Sequence, residues 1–383
     1  MNPHAFLSDR KQIEAVESIR RVDEEGYLYE MKAEHDYYDL PDAFKQIIDA
    51  GCSTFVTRDL DGNVLFCRNY DYSHFLNNDR SGKRTGINVI VRGENPKAKY
   101  KTLAVSDAYW LDYKNGSYAK GMADDGKSDV SAFVLCPMIC MDGMNEKGLA
   151  VSILALGVRA DWKPIAFDTY EEVLNPNKTN LFLEKEGEIP DPYWISASQD
   201  CIAVNRADKK AWIADMEWIE TKAPGKKALL HPILMRLALD NCENVDEAIA
   251  YMTAFNVKAA MPGSDYHIMV ADPSGKSVLV EWQGDEMLTV EIDHATNHYV
   301  TKEDPSFKEG CGRDEVLKAG LFRTRNVGMS REYARDLLKL VLQDPANRVD
   351  RSKTQYTCIY DLTNRTMEIF SFGDLSRSWN YKL

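Results

Sequence analysis

Three residues near the start of the chain have types and spacing suited to covalent chemistry: Cys52, Arg68 and Asp71. They lie in GCSTFVTRDLDGNVLFCRNYDY, residues 51–72, where apolar and polar residues alternate on either side of an Asp-Gly pair. Such alternation is a strong hairpin signal, because glycine takes the positive φ that a tight turn needs. With Asp61-Gly62 as a two-residue turn, Leu60 faces Asn63, Cys52 faces Asp71 and Arg68 faces Phe55; a turn of another length shifts this register by one. A thiol, a guanidinium and a carboxylate then meet at one strand end. Cysteine is also common in strands, and an Arg-Asp pair three apart is often only a surface ion pair, so the hairpin alone supports a structural reading too.

Cleavage between Gly51 and Cys52 would free an α-amine on the residue that carries the thiol. An α-amine has an ordinary pKa of about 7.7 to 8.0, close enough to neutrality to take the thiol proton and return it to a departing amine. Asp71 would hold that amine, and the charge of Arg68 would favour the thiolate. Gly51, without a side chain, tolerates the strained backbone that self-cleavage requires. The chain would then divide into a leader, residues 1–51, and a catalytic domain, residues 52–383.

Positioning such a group requires sheets. Beyond the hairpin, strand patterns recur in GINVIVRG, in SAFVLCPMICMDGMNEKGLAVSILAL, in DCIAVNRADKKAWIADMEW, in DYHIMVADPSGKSVLVEW, in EMLTVEID and in TQYTCIYDLTNRTMEIFSF, several of them pairs joined by Asp, Asn, Gly or Lys turns. Helical periodicity marks LLHPILMRLALDNC, NVDEAIAYMTAF with Asn244 as cap, and SREYARDLLKLVLQD with Ser330 as cap. A short helix is expected from Asp42 to Ala50, and residues 157–200, rich in Pro, Asn, Asp and Glu, read as a surface excursion. Hairpins grouped apart from helices predict an α+β domain of antiparallel sheets covered by helices.

The 383 residues carry a net charge of −13, with no Lys/Arg cluster, which opposes a nucleic-acid partner. No stretch approaches the roughly 20 apolar residues that span a bilayer, and the start lacks the apolar core of a secretory signal. The expected location is cytoplasmic, or secreted or periplasmic if a signal has been removed. Eight scattered cysteines read as buried thiols without a disulfide framework, and Cys136 and Cys140, spaced C-x₃-C with no second pair, are a weak zinc signal. No metal or cofactor is expected.

The spaced set formed by Cys52, RNYDY and MDGMNEKGLAVS from Met141 resembles the choloylglycine hydrolase family of N-terminal-nucleophile hydrolases, which includes bile salt hydrolases, penicillin V acylases and related acyltransferase and acid ceramidase-like enzymes. The resemblance spans most of the chain after Cys52. It implies a four-layer αββα sandwich and cleavage of non-peptide amide C-N bonds in linear amides. It also implies Cys52 as nucleophile, Arg68 and Asp71 as holders of substrate and α-amine, and Asn297 in HATNHYV as oxyanion donor. A last arginine is implied near AGLFRTRNVG, with Arg323 the best match and Arg325 and Arg313 as competitors. Two departures weaken a bile salt assignment: the 51 residues before the cysteine, closer to acyltransferase-like precursors, and Ala155 and Leu156 where those enzymes place an Asn or an aromatic.

Other candidates have plainer readings. His294 and His298, four apart, lack the glutamate of a zinc motif, and His267 has no papain-like context around any cysteine, so a buried, hydrogen-bonded role suits it. Asn69 could orient a substrate loop or merely close its strand. Tyr70, Tyr72, Phe75, Tyr109 and Trp110 could line an acyl pocket, though aromatic stripes more often serve a core. The expected function is a cysteine amidase acting on a small N-acyl amide after self-cleavage. The alternatives are an acyltransferase using the same acyl-enzyme, bile salt or penicillin V hydrolysis, or an unprocessed binding protein. A homo-oligomer is compatible with the sequence.

Overall fold

Strands that alternate along this chain cannot each bury an apolar face alone, and they assemble into two large sheets that supply one another's cover. The computed structural model describes residues 7, 9–38, 51–72, 87–111, 131–156, 158–165, 194–195, 202–205, 210–216, 219–259, 265–302, 311–343 and 353–383. Chain order begins with α1 (Arg10–Glu17), β1 (Arg20–Arg21) and β2 (Leu28–Ala33), followed by the hairpin β3 (Gly51–Arg58) and β4 (Val64–Tyr72). Two further hairpins are β5 (Asn88–Gly93) with β6 (Thr102–Asp107), and β7 (Cys140–Asn145) with β8 (Ala150–Leu156). A small sheet comprises β9 (Val158–Ile165), β10 (Trp194–Ile195), β11 (Ile202–Asn205) and β12 (Lys210–Met216). Next come β13 (Lys227–Leu230), α2 (His231–Asn241), α3 (Val245–Met252) and β14 (Phe255–Lys258). β15 (Asp265–Ala271), β16 (Ser277–Gln283), β17 (Glu286–Glu291) and β18 (His294–Ala295) precede α4 (Gly312–Thr324) and α5 (Arg331–Leu340), and β19 (Lys353–Asp361), β20 (Thr366–Ser371) and β21 (Ser378–Lys382) close the chain.

One sheet has nine strands in the order β1-β2-β5-β6-β7-β8-β15-β16-β17, and the other six in the order β18-β3-β4-β19-β20-β21. Parity decides what each strand of the six-stranded sheet faces. Phe66, Tyr70, Tyr356 and Tyr360 join Met141, Ile153 and Ile268 of the nine-stranded sheet in one buried cluster. Their odd-numbered neighbours Phe55, Leu65, Cys67 and Ile359 face outward and are covered by Leu317 of α4 and Leu337 and Leu338 of α5. On the far side, α2 lies on β7 and β8, and α3 on β15 and β16. A Cβ on Gly143 would come within 2.8 Å of the Ala104 side chain and 2.9 Å of Leu239, so α2 can sit this close only over a glycine. The result is the expected α+β sandwich of four layers, helix-sheet-sheet-helix. Both caps read from sequence form: Asn244 accepts from the Glu247 N-H at 3.0 Å and Ser330 from the Tyr333 N-H at 3.1 Å.

Several expectations are corrected. The β3-β4 register is shifted by one: Cys52 pairs with Tyr70, Gly51 with Asp71 and Thr54 with Arg68. The cause is the loop. The Asp59 carboxylate accepts from the N-H groups of Asp61 and Asn63 at 2.9 and 2.8 Å, the Gly62 N-H donates to the Asp59 carbonyl, and Gly62 takes φ +83°. This is a three-residue loop ending in a left-handed glycine, and it adds one residue to the connection. Ser131–Ile139 forms a 3₁₀ helix around Pro137 where a strand pattern was read. Residues 158–165, within the expected excursion, are a strand. In the segment before Cys52, β2 pairs in parallel with β5 from Leu28 to Ala33. The helix expected at Asp42 to Ala50 lies outside the described residues, as do Phe75 and most of 166–200.

Candidate active site

Cys52 is the second residue of β3, fully buried, at the end of the six-stranded sheet where β18 leads into Asn297. The observed register puts Cys52, Thr54, Arg68 and Tyr70 on the face that meets the other sheet. Arg68 Nη2 donates to Cys52 Sγ at 2.9 Å. Its Nε lies 2.8 Å from Asp142 Oδ2 on β7, both side chains being without solvent exposure. Asp142 also accepts from the hydroxyls of Tyr356, at 2.5 Å, and Tyr360, so the carboxylate is held from three sides. The Arg68 guanidinium lies 5.8 Å from the ring centre of Tyr70, whose hydroxyl donates to Asp107 at 2.7 Å.

A second cation approaches from the helix layer. Arg313, in the first turn of α4, donates from Nη1 to the Cys52 carbonyl and to Asp71 Oδ2, both at 3.1 Å, and from Nη2 to Asn297 Oδ1 at 2.7 Å. Asp71 also accepts from Thr354 Oγ1 at 2.5 Å. The Cys52 N-H donates to Asn297 Oδ1 at 2.8 Å, and Asn297 Nδ2 donates to the Ala155 carbonyl at 2.7 Å. Two donors aimed at one atom of the amide identify it as the oxygen. The turn that carries Asn297 is tied from behind by His267, which bonds the Thr296 carbonyl at 2.8 Å and Glu281 at 3.0 Å. Glu281 accepts from Val300 and Thr301, and although burial opposes its charge, these bonds and His267 hold it down at about 2.

Burial pushes the Cys52 thiol up to about 12, against the pull of Arg68, and the nearby Asp71 and Asp142 charges act in the same direction as burial. Burial raises Asp142 as well, opposed by Arg68 and the two tyrosines. With the Gly51-Cys52 bond intact, the sulfur is therefore a protonated, buried thiol bonded to a permanently charged guanidinium.

Four of the five site residues named from sequence, Cys52, Arg68, Asp71 and Asn297, are brought together. Asp71 contacts Arg313 and Thr354 from the outer face, whereas the Cys52 backbone nitrogen is bonded by Asn297. Arg323 is the correction. It lies exposed in the last turn of α4, ten residues from Arg313 and thus about 15 Å along the helix, and Arg325 is exposed just beyond. Arg313 occupies the position at Cys52. Asn69 faces the helices, bonding the Leu338 carbonyl at 2.9 Å and Thr357 at 2.7 Å, so it closes its strand. Asp142 carried no assigned role, although a lone acid in the apolar run ICMDGM signals a buried charge that needs a partner. Among the described residues no three His, Cys, Asp or Glu side chains are arranged to hold a metal.

Residues 216–374 match the family of acyl-coenzyme A:6-aminopenicillanic acid acyl-transferase. The fold is similar to a mutant of conjugated bile acid hydrolase from Clostridium perfringens, at 14% identity over 87% of this chain and 92% of that one with a TM-score of 0.48. It is also similar to penicillin V acylase from Agrobacterium tumefaciens, at 15% identity over 87% and 86% with a TM-score of 0.40. No curated protein matches the sequence. The matched family is an acyltransferase of the kind that the sequence motifs resemble.

Proposed function

We propose that this protein is a cysteine amidase of the N-terminal-nucleophile type, acting on the linear amide bond of a small N-acyl substrate after cleavage of Gly51-Cys52. The observation that carries this reading is the 2.9 Å bond from Arg68 to the Cys52 sulfur, made where Asn297 and Arg313 already grip the Cys52 backbone. In maturation the Cys52 sulfur attacks the Gly51 carbonyl, the C-N bond breaks to release the α-amine, and water hydrolyses the resulting thioester. Cleavage would also place a base beside a thiol that burial now holds protonated.

In turnover the α-amine takes the thiol proton and the sulfur attacks the substrate carbonyl. Asn297 Nδ2 donates to the oxyanion, which joins or replaces the Ala155 carbonyl as its acceptor. The α-ammonium passes its proton to the departing amine, and water then hydrolyses the thioester. Asn297 Oδ1, bonded now to the Cys52 N-H, orients the α-amine, while Arg313 and Asp71 hold that end of the hairpin. Arg68, balanced by Asp142, keeps a positive charge at the sulfur throughout.

A second reading sends the acyl group to an amine acceptor in place of water, and the name of the family matched over residues 216–374 favours it. Intact mass and N-terminal sequencing test the common step, with fragments of residues 1–51 and 52–383 as the expected result. An N-acyl amide panel assayed with and without 6-aminopenicillanic acid then separates hydrolysis from transfer. Cys52→Ala is expected to abolish both cleavage and turnover; full turnover in that variant, or a chain that stays uncut while active, would overturn the proposal.

A further inference from the structure

A second thiol lies next to this site and plays no part in the chemistry above. Cys311 precedes α4 as its N-cap and is 7% exposed. Thr296 Oγ1 donates to its sulfur at 3.5 Å and lies 2.8 Å from His298 Nδ1, so the hydroxyl links the imidazole to the thiol. The pair is not sealed in, because His298 is only half-buried. A thiol, an imidazole and a hydroxyl at the start of a 13-residue helix form an arrangement suited to a thiolate, with the helix N-terminus adding positive potential.

We propose that Cys311 is a reactive thiol, a site of oxidation by hydroperoxides that controls the neighbouring site through α4. His298 takes the proton of Cys311 through the Thr296 hydroxyl that links them, and the thiolate attacks one oxygen of the peroxide. The O-O bond breaks, sulfur is oxidised to the sulfenic acid, and the departing hydroxide takes the proton from His298 to leave as water; with an alkyl hydroperoxide the leaving group is the alcohol. The added oxygen must fit between Thr296, His298 and the first turn of α4. Arg313, two residues on, and Asn297, between Thr296 and His298, are the groups that hold Cys52, so displacement there reaches them directly. This regulatory consequence rests on the proposed amidase reading; the reactivity of Cys311 does not.

The charged groups around the sulfur favour its ionised form. Burial raises the thiol, but His298, Thr296, the Asp314 N-H and the Arg313 charge outweigh it and bring it down to about 6. The Asp314 carboxylate is occupied on its other side by His294 at 3.0 Å and Lys318 at 2.6 Å. Cys67 and Cys358, by contrast, are raised by burial and serve as internal controls.

The test is site-resolved alkylation of the folded full chain with iodoacetamide across pH 5 to 9, read by peptide mass mapping. Cys311 is expected to label at least roughly tenfold faster than Cys67 and Cys358 at neutral pH, and His298→Gln to move its profile toward that of an ordinary thiol, about 8.5. Labelling no faster than the controls, or a profile unchanged in His298→Gln, would overturn the reactive thiol. Hydrogen peroxide followed by dimedone should then place an adduct on the Cys311 peptide, and its absence counts against the oxidation step. Cys311→Ala, with basal turnover kept, should resist peroxide inactivation; inactivation as fast as in the wild type would overturn the control of activity. If no amide is turned over at all, the alkylation and dimedone measurements still decide the thiol.

Discussion

At the scale of the residue, the decisive contacts are two arginines with opposite environments. Arg68 is fully buried and balanced by Asp142, a pair whose desolvation is costly and whose disruption leaves an uncompensated charge. Asp142→Asn is therefore expected to lower stability by about 3 kcal/mol, measured by denaturant unfolding, because Arg68 stays charged in the core. Arg313 is only partly buried and acts on the backbone carbonyl of Cys52, on Asp71 and on Asn297. Its removal should leave the fold intact while kcat/KM falls by about 10² to 10³, the range seen when a preorganised polar contact at an oxyanion site is lost. Arg323→Ala should leave kcat/KM within about twofold, as expected of an exposed surface side chain. Equal losses in the two variants would count against the position assigned to Arg313.

At the scale of the element, α4 is docked to the six-stranded sheet by an ion pair that can be titrated. His294 on β18 lies 2.7 Å from Asp293 and 3.0 Å from Asp314 of α4. Burial opposes the imidazolium, but the two carboxylates prevail and push His294 up to about 9. The folded value lies above the unfolded one, near 6.5. The stabilisation is therefore complete below about pH 6.5 and lost as pH rises through about 9, and it is worth at most about 3 kcal/mol. Unfolding free energy measured across that window should decline in the wild type and lose most of that slope in His294→Gln. An unchanged slope would mean that other groups carry it. Because α4 also bears Arg313, loosening this contact should cost activity in the same pH range.

At the scale of the molecule, the segment before Cys52 is part of the sandwich, whatever happens to the Gly51-Cys52 bond. β2 lies in the nine-stranded sheet, Ala15 and Val16 of α1 pack in buried clusters, and Tyr37 reaches Arg236 at 2.5 Å and Asp240 at 3.2 Å. Tyr38 bonds Asp240 at 3.1 Å. Cleavage is thus expected to yield two chains that co-elute in native gel filtration and separate only in denaturant. A leader that dissociates at once, leaving the rest folded, would contradict this. Replacing both Tyr37 and Tyr38 by Phe should weaken the association.

The sequence by itself determined what depends on near neighbours. Period-two alternation announced most strands, Asn244 and Ser330 announced their helices, and Asp-Gly announced the hairpin that begins at Cys52, because each signal is settled within a few residues of backbone. Even there, the choice between a two- and a three-residue loop lay beyond the dipeptide, since it rests on how the Asp59 carboxylate wraps the turn. That single residue decides whether Cys52 faces Asp71 or shares a face with Arg68. Only the tertiary structure decided the rest. Asp142 reaches Arg68 across the gap between two sheets, and Asn297 and Arg313 arrive from a loop and a helix more than 240 residues away in the chain. Nothing local distinguishes Arg313 from Arg323, because both stand on the same helix. The end of α4 that meets the strand bearing Cys52 follows from how the helix layer packs on the outer face of the sheet.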